Sequence, residues 1–301
     1  MKIAITGKGG VGKTTFASMI SRMFADEGYR VVAVDADPDA NLALALGFPK
    51  DVYESIVPIS EMKKLVSERT ATSEGTFNKM FKLNPKVDDI PEKYCKEHNG
   101  VGLLTLGTVD TGGSGCVCPE HVLLKRLCSH LILQNKDVVV MDMEAGIEHL
   151  GRGTAQGVDA FIVVVEPGER SLQTYRKVKK LSKDIGVKKV YVVGNKMRDD
   201  KDIEFIKNNL EDGEALGFIH YNQDVIDSDR SNQSPYDTSE ATRKEIKAIK
   251  DRLVELVETM WEQFCNLGIY ESNVIDTTTY SIQETVSAVK EKIVSGTALL
   301  F

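Results

Sequence analysis

Gly7-Lys8-Gly9-Gly10-Val11-Gly12-Lys13-Thr14 spaces its glycines, lysine and hydroxyl as G-x-x-x-x-G-K-[ST]. That spacing suits a phosphate chain. The glycines let backbone N–H groups converge on phosphate oxygens at a positive helix N-terminus, Lys13 neutralises the β and γ charges, and the Thr14 hydroxyl is offered to Mg²⁺. Gly9, Gly10, Val11, Gly12, Lys13, Thr14 and Thr15 are therefore the expected nucleotide contacts. The motif has its chemistry only between a strand and a helix. Both are expected here: Lys2-Ile-Ala-Ile-Thr6 precedes it, and Phe16, Ile20, Met23 and Phe24 follow at helical spacing.

Two carboxylate stations lie further on. The first, Asp35-Ala-Asp37-Pro38-Asp39, follows a β-branched run. An Asp just past a strand can orient or deprotonate an attacking water, and Asp-Pro-Asp is equally good turn chemistry. The second is Val138-Val-Val-Met-Asp142, a buried strand ending in an acid, which is a Walker B pattern. Asp142 is expected to hold Mg²⁺ through water beside the Thr14 hydroxyl.

Gly112-Gly-Ser-Gly115 runs into Cys116-Val117-Cys118-Pro119. In an extended segment residues i and i+2 point the same way, so both thiols can face one ion. Two thiolates are half a tetrahedral or square-planar site, and a dimer axis would supply the other half. Soft thiolates suit Ni²⁺, Zn²⁺ or Cu(I). A reactive redox pair and two buried small hydrophobes are the other readings of the same spacing. His121 is a further candidate ligand or a surface residue. Cys128 sits in an apolar helical run, and Cys95 and Cys265 have no partner spacing and read as structural.

The elements that must hold these residues are legible as short apolar runs: 2–6, 30–35, 102–106, 137–142, 160–165 and 189–194. Helical spacing between most of them predicts a mostly parallel, doubly wound α/β sheet with helices on both faces, the P-loop NTPase architecture. The stretch 51–99, with Pro58, Pro85 and Pro91 and many charges, is expected to be helices and loop without a strand. A long amphipathic helix is expected over 246–267, then a strand at 273–277 and a capping box at Ser281-Ile-Gln-Glu284 opening a last helix. The expected division is an ATPase domain over 1–257 and a C-terminal extension over 258–301.

The 301 residues carry 38 Lys plus Arg against 45 Asp plus Glu, a net charge of −7, with 42% apolar and 28% charged residues. This is globular composition. A pI near 5.4 argues against coating nucleic acid or anionic lipid through bulk charge. Met1 leads straight into a strand-like run and nothing reaches the ~18 to 20 apolar residues of a membrane span. A cytoplasmic protein is expected, with no nucleic-acid partner and no stable membrane association. Five cysteines in so long a chain make no disulfide framework.

Lys8, before the glycine pair, makes the loop resemble the deviant Walker A of the MinD, ParA and nitrogenase iron-protein family. In order along one chain, Lys8, Asp37-Pro-Asp39, Asn84-Pro-Lys-Val87, Cys116-Val-Cys118 and Asp142-Met-Glu-Ala-Gly-Ile-Glu-His149 resemble the CooC-type maturation ATPases of nickel carbon monoxide dehydrogenase. The likeness runs from Met1 to about Val257. It implies an ATP-dependent homodimer in which Lys8 reaches the partner's nucleotide, and in which Asp37 orients the attacking water with Asp35 and Asp39 in support. The resemblance also adds Asp37 to Thr14 and Asp142 at the Mg²⁺ ion. It further implies that Gly146 senses the γ-phosphate, and that Asn195 and the Ile219-His-Tyr221-Asn222 segment face adenine. ATP, Mg²⁺ and Ni²⁺, or Zn²⁺ in the same site, are the implied ligands. The implied task is delivery of nickel to apo carbon monoxide dehydrogenase or acetyl-CoA synthase, with Cys116 and Cys118 holding the ion. Lys8 read alone is also compatible with a solvated loop charge, the lesser reading, and Asn195 with a turn residue. A positioning ATPase and an iron–sulfur carrier are the alternatives built on the same dimer. The tail beyond Val257 is not expected in a minimal member.

Overall fold

The computed structural model describes residues 1–71, 82–107, 118–133, 137–144, 157–185, 187 and 189–265. In chain order they form β1 (Lys2–Gly7), α1 (Lys13–Asp26), β2 (Val31–Ala36), the short helices α2 (Leu42–Ala45) and α3 (Lys50–Tyr53), α4 (Lys63–Thr70), α5 (Ile90–Tyr94), β3 (Lys96–His98), β4 (Val101–Thr105), α6 (Pro119–Leu133) and β5 (Val138–Met143). There follow β6 (Ala160–Val165), α7 (Glu169–Asp184), β7 (Val190–Met197), α8 (Asp200–Lys207), β8 (Ala215–His220), α9 (Gln223–Arg230), α10 (Pro235–Thr238) and α11 (Glu240–Cys265).

Eight strands make one sheet in the order β3-β4-β2-β5-β1-β6-β7-β8. Every pairing is parallel except β3 with β4. Every residue of β1, β2, β5 and β6 is buried. That is why these strands read as continuous Val/Ile/Ala runs rather than alternating ones: helices cover both faces. All six expected strands are present, most shifted by a residue at their ends, and β7 runs three residues further than expected, to Met197. Two were not foreseen. β8 is only partly buried, and β3 corrects the expectation of no strand over 51–99. Lys96-Glu-His98 has no apolar signature because it is an exposed edge pairing antiparallel on β4, so hydrogen bonds rather than burial define it.

The strand order brings the site together. β5 inserts between β2 and β1, so three C-terminal strand ends meet beside the loop that leads into α1. Asp142 pairs in register with Ile5 on one side and Asp35 on the other. The chain divides into two compact units, Met1–Leu253 and Val254–Phe301, and the first holds the whole sheet and every feature discussed below. The expected strand at 273–277 and the helix from Ser281 lie outside the described residues.

Candidate nucleotide site at the strand ends

The loop after β1 is built on glycines at Gly7, Gly10 and Gly12, with φ of 150°, 80° and 97°. A Cβ on Gly7 would collide with the Val164 carbonyl on β6, and one on Gly12 with the Asn195 amide, whereas Gly9 and Gly10 face open space. The loop is therefore clamped on its sheet side and free on its ligand side. Val11 is fully buried, so its side chain anchors the loop while its backbone shapes the cradle. The Gly12 carbonyl accepts from Phe16 N–H at 3.0 Å, which starts α1. The free N–H groups of that first turn point at the cradle.

Lys13 is buried, and its Nζ lies 3.6 Å from Asp37 Oδ2. Asp37 Oδ1 accepts from Asp39 N–H at 3.1 Å, so Asp-Pro-Asp forms a turn and also presents a carboxylate to the loop lysine. Asp35 is 1% exposed. Its two oxygens accept from Leu42 N–H at 3.0 Å and Asp37 N–H at 3.3 Å, which ties the start of α2 and the Asp37 turn to the end of β2. Burial lifts the Asp35 carboxyl to about 6, against the pull of those two N–H groups.

Asp142 is also 1% exposed, and neither of its oxygens makes a hydrogen bond of ordinary geometry among the described residues. Burial, with Asp35 and Asp37 nearby, lifts it to about 7, while the facing Thr14 hydroxyl and Lys13 favour the charged form. A buried carboxylate without a firm partner is costly. Two oxygens left open beside a hydroxyl and a phosphate cradle fit a hard divalent cation such as Mg²⁺. Thr14, Asp142 and Asp37 are the residues that would hold it.

A cavity of 740 Å³ opens over this cluster, lined by Gly9, Gly10, Lys13, Thr14, Asp37 and Glu144 at one end and by residues of α9 and the turn before α10 at the other. A second, 90 Å³ pocket adjoins it between Thr15, Asn195, Tyr221 and Val225. Thr15 and Lys196 line both. Tyr221 is half exposed and its hydroxyl donates to Gln223 Oε1 at 3.1 Å. Asn195 Nδ2 donates to the Val11 carbonyl at 2.8 Å and its Oδ1 accepts from Lys196 N–H at 2.8 Å, so it braces the loop from β7. Lys8 is half-buried beside the glycines. Sequence reasoning assigned no role to Lys196, Glu144, Asp229 or Asn232. The last two come from a segment that the order of the chain does not tie to the loop, and only a strand-end Asn-Lys pair signals Lys196.

Cys118 is half-buried immediately before α6; its carbonyl accepts from Val122 N–H at 3.1 Å. Burial pushes its thiol up, and the His121 backbone N–H pulls it down. Pro119 opens the helix, so Cys118 is its capping residue. His121 is exposed on α6. Cys128 is buried within the same helix, its thiol pushed up to about 12 by burial, and Cys95 packs at the core margin. Cys116 and Gly146 lie outside the described residues. Among the described residues no three His, Cys, Asp or Glu side chains gather as a metal would need, and no helix is long and apolar enough to cross a membrane.

A glycine-built phosphate loop at the switch point of a parallel sheet, with a Walker B acid and an open cavity, defines a P-loop ATPase. The chain belongs to the family described as the CobQ/CobB/MinD/ParA nucleotide binding domain, whose model matches residues 2–236. Within that family it is similar to the carbon monoxide dehydrogenase accessory protein CooC of Rhodospirillum rubrum, at 48% identity over 257 residues, 85% of this chain and 97% of that protein. An uncharacterized ATP-binding protein of Methanocaldococcus jannaschii is 45% identical over 262 residues, 86% of this chain and 100% of its own length. The fold is shared with the MinC:MinD cell division protein complex of Aquifex aeolicus (TM-score 0.60, 19% identity, 85% of this chain and 96% of that one). It is shared too with the septum site-determining protein MinD of Pyrococcus horikoshii complexed with Mg-ADP (TM-score 0.59, 20% identity, 86% and 98%).

Proposed function

We propose that this ATPase is a homodimeric metallochaperone that carries nickel on paired Cys116–Cys118 thiolates and delivers it to carbon monoxide dehydrogenase or acetyl-CoA synthase. The observation that carries the reading is the 48% identity to CooC along 97% of that protein's length. Cys118 stands half-buried at the head of α6, where the His121 backbone N–H reaches its sulfur although burial holds the thiol above its ordinary value, so a soft cation rather than the helix end would have to draw off its proton.

The residues divide the work. Lys13 and the backbone N–H groups of Gly9 to Thr15 bind the phosphates. Asp37, held by Asp35, orients the attacking water, and Lys8 reaches the partner's nucleotide. Asn195 and Tyr221 face the adenine, and Gly146 senses the γ-phosphate. Mg²⁺, when bound at Thr14, Asp142 and Asp37, supplies charge neutralisation at the β and γ oxygens. ATP closes the dimer and joins two Cys-x-Cys halves into one four-thiolate site; hydrolysis reopens it and releases the ion. Metal and closed dimer then stabilise each other, a coupling that is reciprocal by linkage. The region 1–257 performs this task, and 258–301 is an extension to it.

Anaerobic nickel and zinc binding, followed with dimerisation, tests the proposal in wild type and a Cys116→Ala/Cys118→Ala double variant, with and without ATP. One ion per two chains that depends on both thiols and favours the ATP dimer is the expected result. Metal binding by the double variant equal to wild type removes the Cys-x-Cys site and moves a positioning ATPase to the front.

A further inference from the structure

Asn195 and Lys196 are consecutive residues of a strand, and regular pleating would send them to opposite faces of the sheet. Both instead bond the phosphate loop. Asn195 Nδ2 donates to the Val11 carbonyl at 2.8 Å, and Lys196 Nζ donates to the Gly10 carbonyl at 2.6 Å. Two irregularities make this geometry. The β7–β8 register shifts between Gly194 and Met197, and Lys196 has φ of +60°, a left-handed conformation that a side chain other than Asn or Asp adopts rarely. The Asn195 oxygen then caps the Lys196 N–H at 2.8 Å, which holds the pair in that turn. On its far side the ammonium has Glu166 Oε2 at 3.7 Å.

We infer that Asn195 and Lys196 act as a clamp on the Gly10 and Val11 peptides, setting the direction of the loop's amides before nucleotide arrives. In a planar trans peptide the C=O and N–H point opposite ways. Holding the Val11 carbonyl toward β7 therefore turns the Gly12 N–H the other way. Holding the Gly10 carbonyl turns the Val11 N–H inward, where it meets the Lys8 carbonyl at 3.4 Å and closes the loop's own turn. Gly10 and Gly12, both at positive φ, would otherwise leave these peptides free to flip, since glycine populates both signs of φ readily. The clamp removes that freedom in advance of binding, so less ordering remains to be done when phosphate enters. Asn195 keeps an amide hydrogen and a carbonyl lone pair for other partners, so the clamp coexists with a base contact. Lys196 is a positioning residue that acts through Gly10, not a catalytic one. The inference rests on the ATP-binding reading of this site and is independent of nickel.

The test compares Lys196→Met, Lys196→Arg and Asn195→Ala with wild type by affinity for Mg·ADP and Mg·ATP, by kcat and KM, and by hydrogen exchange of the peptide spanning Lys8–Thr14 without nucleotide. Losing one charge-assisted bond is expected to weaken both nucleotides about tenfold and to raise KM more than it lowers kcat. Exchange across the loop accelerates while the rest of the sheet is unchanged. Lys196→Arg recovers most of the affinity, and Asn195→Ala speeds loop exchange likewise. Weaker binding without faster loop exchange overturns the inference, because Lys196 then meets the nucleotide directly. Unchanged exchange and affinity in Lys196→Met also overturn it, as does a fall in kcat alone at constant KM. A wild type that binds no Mg·ATP removes the ATP-binding reading itself, and the nucleotide-free exchange still reads the clamp.

Discussion

Two helices of this chain begin behind a glycine-rich segment, and they end up differently equipped. At α1 the loop Gly7–Gly12 meets Lys13, Thr14, Asp37 and Asp142 from three strand ends, and β7 supplies Asn195 and Lys196 against its carbonyls. At α6 the segment Gly112–Gly115 leads to Cys118, whose described environment offers the His121 backbone N–H and no gathered ligands. Both helices present a positive N-terminal end, but at α6 burial holds the Cys118 thiol above its ordinary value. The α1 cluster of Lys13, Thr14, Asp37 and Asp142 gathers within one chain because a parallel sheet delivers many strand ends to one place. Two thiolates cannot complete a closed metal site, so the nickel site proposed above requires a second chain.

The sharpest way to break the comparison is to remove the cation that only α1 has. Lys13→Met is expected to lower ATP turnover by about a hundredfold or more, read by phosphate release, and to leave nucleotide-free metal binding untouched. Activity near wild type defeats the assignment of the α1 site. At the other helix, Cys118→Ala alone is expected to abolish stoichiometric nickel binding, measured anaerobically by equilibrium dialysis, while circular dichroism stays native; full retention of nickel shows that the ion sits elsewhere.

Cys128, buried within α6, sharpens the contrast between the proposed ligand thiol and a packing thiol. Cys128→Ser places a hydroxyl in an apolar core and is expected to cost about 1–3 kcal/mol in urea unfolding with nickel binding preserved. Loss of nickel with unchanged stability reverses the roles given to the two thiols.

The smallest effect concerns pH. Asp35 and Asp142 are lifted from 3.8 to about 6 and about 7, so between about pH 4 and 7 the folded chain holds protons that the unfolded chain has released. Their contribution to stability is therefore greatest at the acid end of that window and falls as pH rises through it. Without Mg²⁺ or nucleotide, the melting temperature of wild type is expected to drop by roughly 5 °C between pH 5.5 and 7.5. Asp142→Asn keeps only the Asp35 share of that slope. Equal slopes in the two proteins mean that Asp142 ionises as freely in the fold as out of it.

Much of the α1 site was readable in order along the chain. A phosphate loop is local: its glycines, lysine and threonine must be neighbours because one turn of backbone wraps the phosphates, so Gly7 to Thr14 declare it. Asp37 and Asp142 were legible because each ends a run apolar enough to be a buried strand. β3 was not, since its exposed Lys-Glu-His carries no apolar run, and β8 was not, since its short Ala-Leu-Gly-Phe-Ile run is broken by Gly217 and only partly buried at the sheet edge. The loop clamp was hidden for another reason. A register shift and a left-handed Lys196 leave no mark on residue spacing, and the partners Gly10 and Val11 are some 185 positions away.

By itself, then, the sequence determined the alternation of strand and helix, the phosphate loop and the positions of its acids, because these depend on local pattern and burial. Only the tertiary structure decided that β5 inserts between β1 and β2 to set Asp142 beside Asp35, and that β7 bends two consecutive side chains onto the loop. Those are consequences of strand order and register, which arise from how distant segments pack and so belong to no stretch of chain alone.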